Sequence, residues 1–295
     1  MSKPAIFTGA GVALITPMNP DGSINFEKYR ELIDFQIENG TDAIIAIGTT
    51  GEASTLDNDE HLEAIRVAIE HTAGRVPVIA GTGSNNTRQA IYMSNESRAM
   101  GADGLLLVTP YYNKTSQRGL IAHYSKIAAS VDLPMILYNV PTRTGLNLKP
   151  ETVAELYKIP QINAIKQASS NFSETTILAS LCDIPIYSGN DDLIVPTLAL
   201  GGKGVISVLS NVVPRAVHDL CAKWFEGKTE ESLQLQLKYL DLANALFMDV
   251  NPIPVKEALN MMGFDVGDCR LPLYGMDDAA KAKLYAVLKR YELVK

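Results

Sequence analysis

Cysteine is scarce in this sequence: there are 3 among 295 residues, and no two of them form a CxxC pair. An odd and scattered set argues against a disulfide framework, so we expect free thiols and a cytoplasmic location. The first residues show no charged segment before an apolar run, and no apolar stretch is long enough to span a bilayer. We therefore expect neither a signal peptide nor a transmembrane helix.

Basic residues are also fewer than acidic ones. The chain has 26 Lys and Arg against 33 Asp and Glu, which leaves a formal net charge of -7. Nucleic acids and anionic membranes attract proteins through basic surfaces, so we expect neither as a partner. An anionic small molecule is not excluded, because one arginine in a pocket can hold it against the overall charge.

Motifs for nucleotides and metals are missing too. The glycine-rich segment Gly48–Glu52 has no GxxxxGK[ST] around it, and no GxGxxG is complete. The histidines lack the spacing of metal ligands, so we expect surface or capping roles for them. They are His61, His71, His123 and His218. We expect no cofactor and no metal.

What the sequence does contain is a recurring unit, a short apolar run followed by a helical pattern. Continuous apolar runs are typical of parallel strands that are covered on both faces. The runs are Val12–Ile15, Ala43–Ile47, Val76–Ala80, Gly104–Val108, Met135–Tyr138, Ala164–Lys166, Ile184–Ser188 and Gly204–Val208. Eight such units favour an α/β fold, a closed (β/α)8 TIM barrel, with an open doubly wound sheet as the alternative.

Helix signals lie between the runs. Asp57 precedes Glu60 by three residues, which predicts a capping box. The patterns in Phe26–Gln36 and in Glu151–Tyr157, which follows a proline, predict helices.

The predicted strands stop near residue 225, and only helical patterns follow. These patterns cover Glu231–Met248, Val255–Met262 and Asp277–Leu293, with a proline-rich break after the first of them. We predict a catalytic barrel over residues 1–225 and a small helical appendage over 226–295.

Barrels of this kind carry their active sites at the carboxyl ends of the strands. Lys166 ends the sixth run, where an unpaired charge is costly and the neutral amine that attacks carbonyl groups is favoured. A lysine that extends to solvent, or half of a buried ion pair, would give the same pattern. The adjacent Tyr111 and Tyr112 after the fourth run fit proton transfer or interface packing.

Four motifs in chain order resemble the dihydrodipicolinate synthase family. They are Gly48–Glu52, Tyr111–Lys114, Tyr138–Gly145 and Ile165-Lys166, and the resemblance extends over essentially the whole chain. It implies a class I lyase that condenses pyruvate with L-aspartate 4-semialdehyde in the diaminopimelate route to lysine. It also implies a homotetramer built from two tight dimers.

The resemblance further implies a role for each site residue. Lys166 would form the Schiff base with pyruvate, and Arg143 would hold the carboxylate of aspartate semialdehyde. Thr49, Tyr138 and Tyr112 would relay protons, with Tyr112 supplied by the neighbouring subunit. The other implied substrate-binding residues are Thr50, beside the pyruvate carboxylate, and the pocket residues Gly189, Asn190 and Ile206.

The sequence departs from the family pattern in places. Gln167 follows the lysine where a glutamate is common, and Ala53 stands where many members have serine. Some members bind lysine between subunits, at positions that correspond to Tyr111, Asn85 and Gln89. Gln89 replaces the glutamate of lysine-sensitive members, and Asn58 occupies a position often held by histidine, so we expect weak or absent inhibition by lysine.

Two other functions fit parts of the pattern. Sugar-acid lyases such as N-acetylneuraminate lyase share the lysine, the threonine loop and the tyrosine, but Arg143 favours a small second substrate with a carboxylate. A catalytically silent barrel with a binding role is the other alternative, and retention of the lysine, threonines and tyrosines argues against it.

Overall fold

The eight apolar runs form eight parallel strands that close into a barrel. In the computed structural model, which describes residues 3–295, the strands follow one another in chain order and the last pairs with the first. They are β1 (Gly9–Ala13), β2 (Ala43–Ala46), β3 (Val78–Gly81), β4 (Gly104–Val108), β5 (Met135–Asn139), β6 (Ile162–Gln167), β7 (Ile186–Ser188) and β8 (Gly204–Ser207). The barrel prediction is confirmed, and the open sheet is excluded.

The first strand differs most from its predicted limits, because it begins at Gly9 rather than at Val12. Glycine has a low strand propensity, so an apolar pattern does not mark the start of β1. The structure shows why glycine stands there: Gly9 has φ 115°, and a Cβ on it would lie 2.1 Å from Asp42 Oδ2. On the paired strand β8, a Cβ on Gly204 would lie 1.8 Å from the Gly9 carbonyl oxygen. The barrel thus closes through a backbone contact that admits no side chain.

Twelve helices surround and follow the strands in the described part of the chain. They are α1 (Phe26–Glu38), α2 (Asn58–Thr72), α3 (Thr87–Met100), α4 (Gln117–Ala128), α5 (Pro141–Thr144), α6 (Pro150–Leu156), α7 (Phe172–Leu181), α8 (Ile194–Ala199), α9 (Pro214–Phe225), α10 (Thr229–Ala245), α11 (Ile253–Met261) and α12 (Asp278–Arg290). The capping box of Asp57 and Glu60 at the start of α2 is confirmed. None of these helices has the length and apolar character needed to cross a membrane.

Two apolar layers explain why the strand sequences are continuously apolar rather than alternating between apolar and polar residues. One face of each strand packs against the helices, and the other fills the barrel interior. Near the first strand, Phe7 stacks on Tyr187 with ring centres 4.3 Å apart, and the Tyr187 hydroxyl donates to the Phe7 carbonyl at 2.6 Å. The interior is therefore a packed core with side chains such as Ile45, Ile136 and Ile206.

The helices after residue 225 share a core with the barrel. Leu242, Leu246 and Leu259 are fully buried and belong to the apolar cluster that lies between the strands and their surrounding helices. The division into a barrel and an appendage near residue 225 stays a prediction, since one continuous core runs across it. All three cysteines are unpaired, as expected.

Candidate active site

A cavity of about 260 Å3 opens at the carboxyl ends of β2 to β5. Its walls combine backbone from glycine-rich turns with hydroxyl, phenol, imidazole and guanidinium side chains. The polar side chains among them are Thr49, Ser54, His61, Thr82, Ser84, Gln89, Tyr111, Tyr138, Arg143 and Thr144. The cavity lies at the end of the barrel where the sequence predicted the site.

Lys166 stands on β6 in register with Tyr138 on β5, so both side chains point to the barrel interior. Only 5% of Lys166 is exposed, and its Nζ lies 4.4 Å from the centre of the Tyr138 ring. It therefore does not extend to solvent, and none of the ion pairs within residues 3–295 includes it. The buried lysine that does have a carboxylate partner is Lys256, 2.9 Å from Glu52.

The segment Gly48–Glu52, here called the threonine loop, follows β2 through a residue with a strained backbone conformation. Ile47 is buried and has φ 53°, which is unusual for a β-branched side chain and costs about 1–3 kcal/mol. Gly81 makes room for this turn, because a Cβ there would lie 2.2 Å from the Ile47 carbonyl oxygen. The turn directs Thr49 to the cavity wall and buries Thr50.

Asn251 joins two of the predicted substrate-binding residues. Its Nδ2 donates to the Thr50 hydroxyl at 3.0 Å, and its backbone carbonyl accepts from Arg143 Nη2 at 2.9 Å. Since the Thr50 oxygen already accepts this bond, its own proton is available to a carboxylate. The sequence interpretation missed Asn251 and treated its segment only as a break between helices.

Arg143 is carried by the single turn α5, which begins with a proline in the first helical position. Its side chain is exposed and lines the cavity. Because Asn251 occupies one guanidinium N–H, the others remain free to bind a carboxylate in a forked arrangement.

The remaining predicted pocket residues lie at the ends of β7 and β8, the strands that follow Lys166 around the barrel. The Gly189 amide donates to the Gln167 carbonyl at 2.8 Å, and Asn190 Nδ2 donates to the Ser169 carbonyl at 3.3 Å. Ile206 is fully buried in the barrel interior. These three residues are not part of the cavity wall described above.

Tyr112 is placed differently from the other predicted catalytic residues. It is 92% exposed, has φ 66°, and does not line the cavity, whereas the adjacent Tyr111 does. Within a single chain the proposed proton relay therefore consists of Thr49 and Tyr138 alone.

Gln167, the departure from the family pattern, belongs to a chain of amide contacts. Asn139 Nδ2 donates to Gln167 Oε1 at 2.8 Å and to Asn147 Oδ1 at 2.9 Å. Asn147 in turn donates to Glu174 at 2.9 Å. A neutral amide thus serves as the acceptor behind Lys166, and the carboxylate of this network, on Glu174, is separated from Gln167 by two asparagines.

The residues at the positions where some family members bind the inhibitor lysine come together at one edge of the cavity. Asn85 Nδ2 donates to the Tyr111 carbonyl at 3.2 Å, and both Tyr111 and Gln89 line the wall. Gln89 Nε2 donates to Asn58 Oδ1 at 2.9 Å, so the two replaced positions contact each other as a neutral amide pair.

Two titratable groups, the partly buried His61 and the buried Asp191, were not singled out by the sequence as part of the site. His61 lines the cavity and its Nε2 lies 2.8 Å from the Gly81 carbonyl, while desolvation lowers its pKa to about 4. Asp191 accepts from the backbone amides of Val208 and Leu209, and burial raises its pKa. The expectation that the histidines lie at the surface or cap helices is wrong for His123, which is 7% exposed.

Metal-binding clusters are not found in residues 3–295: no three His, Cys, Asp or Glu side chains are grouped as ligands.

A closed (β/α)8 barrel with a buried, unpaired lysine beside a tyrosine ring defines the class of lyases that capture carbonyl substrates on an amine. The chain belongs to the Dihydrodipicolinate synthetase family, whose model matches residues 6–291.

Individual relatives cover nearly the entire chain. The 4-hydroxy-tetrahydrodipicolinate synthase of Lachnoclostridium phytofermentans is 58% identical over 293 residues, which are 98% of this chain and 100% of that protein. A crystal structure of the Cyanidioschyzon merolae synthase with lysine bound has a TM-score of 0.95 at 40% identity, and covers 99% of this chain and 100% of that one. A monomeric dihydrodipicolinate synthase variant has a TM-score of 0.95 at 41% identity, with 98% of each chain covered.

The low pKa of His61 predicts a pH-dependent stability. Its pKa is lowered from 6.5 to about 4, so between these values the unfolded chain binds more protons than the folded one. The stability should therefore fall as the pH is lowered from about 6.5 to about 4. A His61→Gln variant retains an N–H donor for the Gly81 carbonyl but does not titrate, so its thermal midpoint should fall less steeply across this window. Equal slopes for both proteins would contradict the assignment.

Proposed function

We propose that this chain condenses pyruvate with L-aspartate 4-semialdehyde through a Schiff base on Lys166, in the diaminopimelate route to lysine. The observation that carries this proposal is the contrast between the two buried lysines. Lys256 has a carboxylate partner, whereas Lys166 has none and lies against the Tyr138 ring. A buried amine without a counterion is suited to nucleophilic attack.

The reaction follows from the chemistry of the amine. Lys166 adds to the keto carbon of pyruvate, and loss of water leaves a protonated imine. The positive nitrogen withdraws electrons, so the pyruvate methyl group can lose a proton. The protonated imine thereby becomes an enamine. The enamine carbon attacks the aldehyde, whose oxygen takes up a proton. The substrate's own amino group then attacks the imine carbon, which closes the ring and frees Lys166.

The surrounding residues take complementary roles in this proposal. Thr49 and Tyr138 move protons, because hydroxyl and phenol groups both donate and accept. Thr50 donates to the pyruvate carboxylate, since Asn251 already supplies a donor to its oxygen. Arg143 binds the carboxylate of the second substrate, which distinguishes the synthase from sugar-acid lyases.

Lys166 should be the residue to which pyruvate becomes covalently attached. Borohydride reduction in the presence of pyruvate should leave a stable adduct on the wild-type protein, detectable by mass spectrometry and peptide mapping. Lys166→Ala should give no adduct and lower kcat by about 1,000-fold or more. The exposed Lys149→Ala is the matched control and should behave as wild type.

The outcomes separate the alternatives. An adduct without consumption of aspartate semialdehyde would move the assignment to a sugar-acid lyase. Absence of an adduct on the wild-type protein would indicate a catalytically silent barrel.

We also propose that Tyr112 completes the site of a neighbouring copy, within a homotetramer that consists of two tight dimers. Tyr112 projects into solvent in the single chain, and aromatic side chains with this exposure are common at interfaces. The fold by itself does not require four copies, since the monomeric variant described above is closely similar. The three unpaired thiols fit a reducing, cytoplasmic compartment.

A complementation experiment tests this role of Tyr112. Tyr112→Phe should lower kcat by about 100-fold without loss of fold, because a proton carrier is removed. Tyr274→Phe, at a tyrosine that is 80% exposed, is the control. When Tyr112→Phe and Lys166→Ala subunits are mixed and reassembled, hybrid dimers should regain activity, since one site then has both residues. Full activity of the wild type in a verified monomer would contradict the proposal, and so would full activity of Tyr112→Phe.

Lysine inhibition should be weak or absent. An ammonium ligand at the cavity edge would meet the Gln89–Asn58 amide pair, which offers no negative charge. A steady-state titration should show inhibition for Gln89→Glu combined with Asn58→His at lysine concentrations that leave the wild type unaffected. Micromolar inhibition of the wild type would refute this expectation.

A further inference from the structure

The carboxyl-terminal helices contact the threonine loop through an ion pair that is almost completely buried. The side chains of Lys256 on α11 and Glu52 at the end of the loop are 2% and 0% exposed, and Nζ lies 2.9 Å from Oε1. We propose that this pair is a positioning element of the active site, which holds Thr49 and Thr50 in the conformation needed for proton transfer. The proposal rests on the function proposed above.

The pair is fully satisfied by hydrogen bonds, which is the condition for a buried ion pair to be tolerated. Besides Glu52, Lys256 Nζ donates to the carbonyls of Thr16 at 3.1 Å and Asp268 at 2.6 Å. The second oxygen of Glu52 accepts from the Arg270 amide at 2.8 Å. A single ammonium group thus joins the segment after β1, the threonine loop and the segment before α12.

The loop needs such a restraint because strained residues lie at both of its ends. Ile47 has φ 53° and Glu52 has φ 59°, and both are non-glycine residues in the left-handed region. Such conformations persist only where the surrounding structure imposes them. Thr16 Oγ1 supports the middle of the loop, since it donates to the Gly51 carbonyl at 2.7 Å.

Arg270 extends the restraint to the helix that follows the loop. Its guanidinium donates to both oxygens of Glu60, in the first turn of α2, and to the carbonyls of Thr55 and Gly22. The segment that contacts Glu52 is therefore itself fixed to the barrel.

Buried ion pairs contribute little to stability compared with apolar side chains of similar volume, so the role that we assign to this pair is geometric. Lys166 is held separately, in the ladder between β5 and β7. Loss of the pair should therefore leave imine formation on Lys166 intact. It should slow the later removal of the methyl proton, which depends on the placement of Thr49.

The experiment uses the double variant Glu52→Gln/Lys256→Met, which removes both charges together, so that neither charge is left buried without its partner. Three quantities are measured on the assembled protein: borohydride trapping of pyruvate, kcat, and exchange of pyruvate methyl protons with D2O followed by NMR without the second substrate. Trapping should remain within about 2-fold of wild type, while exchange and kcat should fall by about 10- to 100-fold, the effect of a small misplacement of a catalytic group.

Two controls define the scale. The pair Lys28–Glu31, 2.8 Å apart and with side chains 29% and 50% exposed, is replaced as Lys28→Met/Glu31→Gln and should leave all three quantities unchanged. Thr49→Val should reproduce the selective loss of exchange. If the double variant does not fold, Glu52→Gln/Lys256→Gln carries the same measurement, since two neutral amides can hydrogen-bond to each other and no charge is left buried.

Unchanged exchange and kcat in a folded variant would overturn the proposal, and so would an equal loss of trapping and exchange. Failure of the wild-type protein to trap pyruvate is a distinct result, because it would reject the proposed function and not the pair's contribution to loop geometry.

Discussion

The burial of an amine without a counterion is the constraint on which this active site depends. The interior of a barrel is a poor solvent for charge, so a lysine placed there is costly unless other groups compensate it. The chain contains two buried lysines with different surroundings. Lys256 is paired with Glu52, and Lys166 lies against an aromatic ring at the end of β6. The proposed Schiff-base chemistry uses the lysine that has no carboxylate in ion-pair contact.

The proposed chemistry also needs hydroxyl groups at fixed positions, and the backbone around the cavity shows how they are placed. A β-branched residue occupies a left-handed conformation at the end of β2, and the neighbouring strand provides a glycine where a side chain would collide with it. The strain of this turn is confined to the backbone at the end of β2, whereas the contacts that maintain the turn come from distant parts of the chain. Asn251, Lys256 and Arg270 all lie beyond the last strand of the barrel.

Much of the fold could be predicted from the sequence, because it follows from local patterns: the apolar runs indicated the strands, and Lys166 ends one of them. Thr49, Tyr138 and Arg143 were singled out by the family resemblance, and their roles stay predictions. The start of β1 was missed because it consists of glycines at positions where a Cβ would collide with the side chains of Asp42 or Phe7. Asn251 and His61 were missed for another reason: their roles depend on contacts across the fold that no periodicity records.

The distant origin of the loop's supports has a consequence for how the protein is made. During synthesis all eight strands leave the ribosome before α11 and the segment around Arg270 exist. Until they are made, Thr50 and Glu52 lack the contacts that Asn251, Lys256 and Arg270 supply. A chain interrupted near α10 would therefore contain Lys166 and the threonine loop but none of the three residues that hold the loop from beyond the last strand.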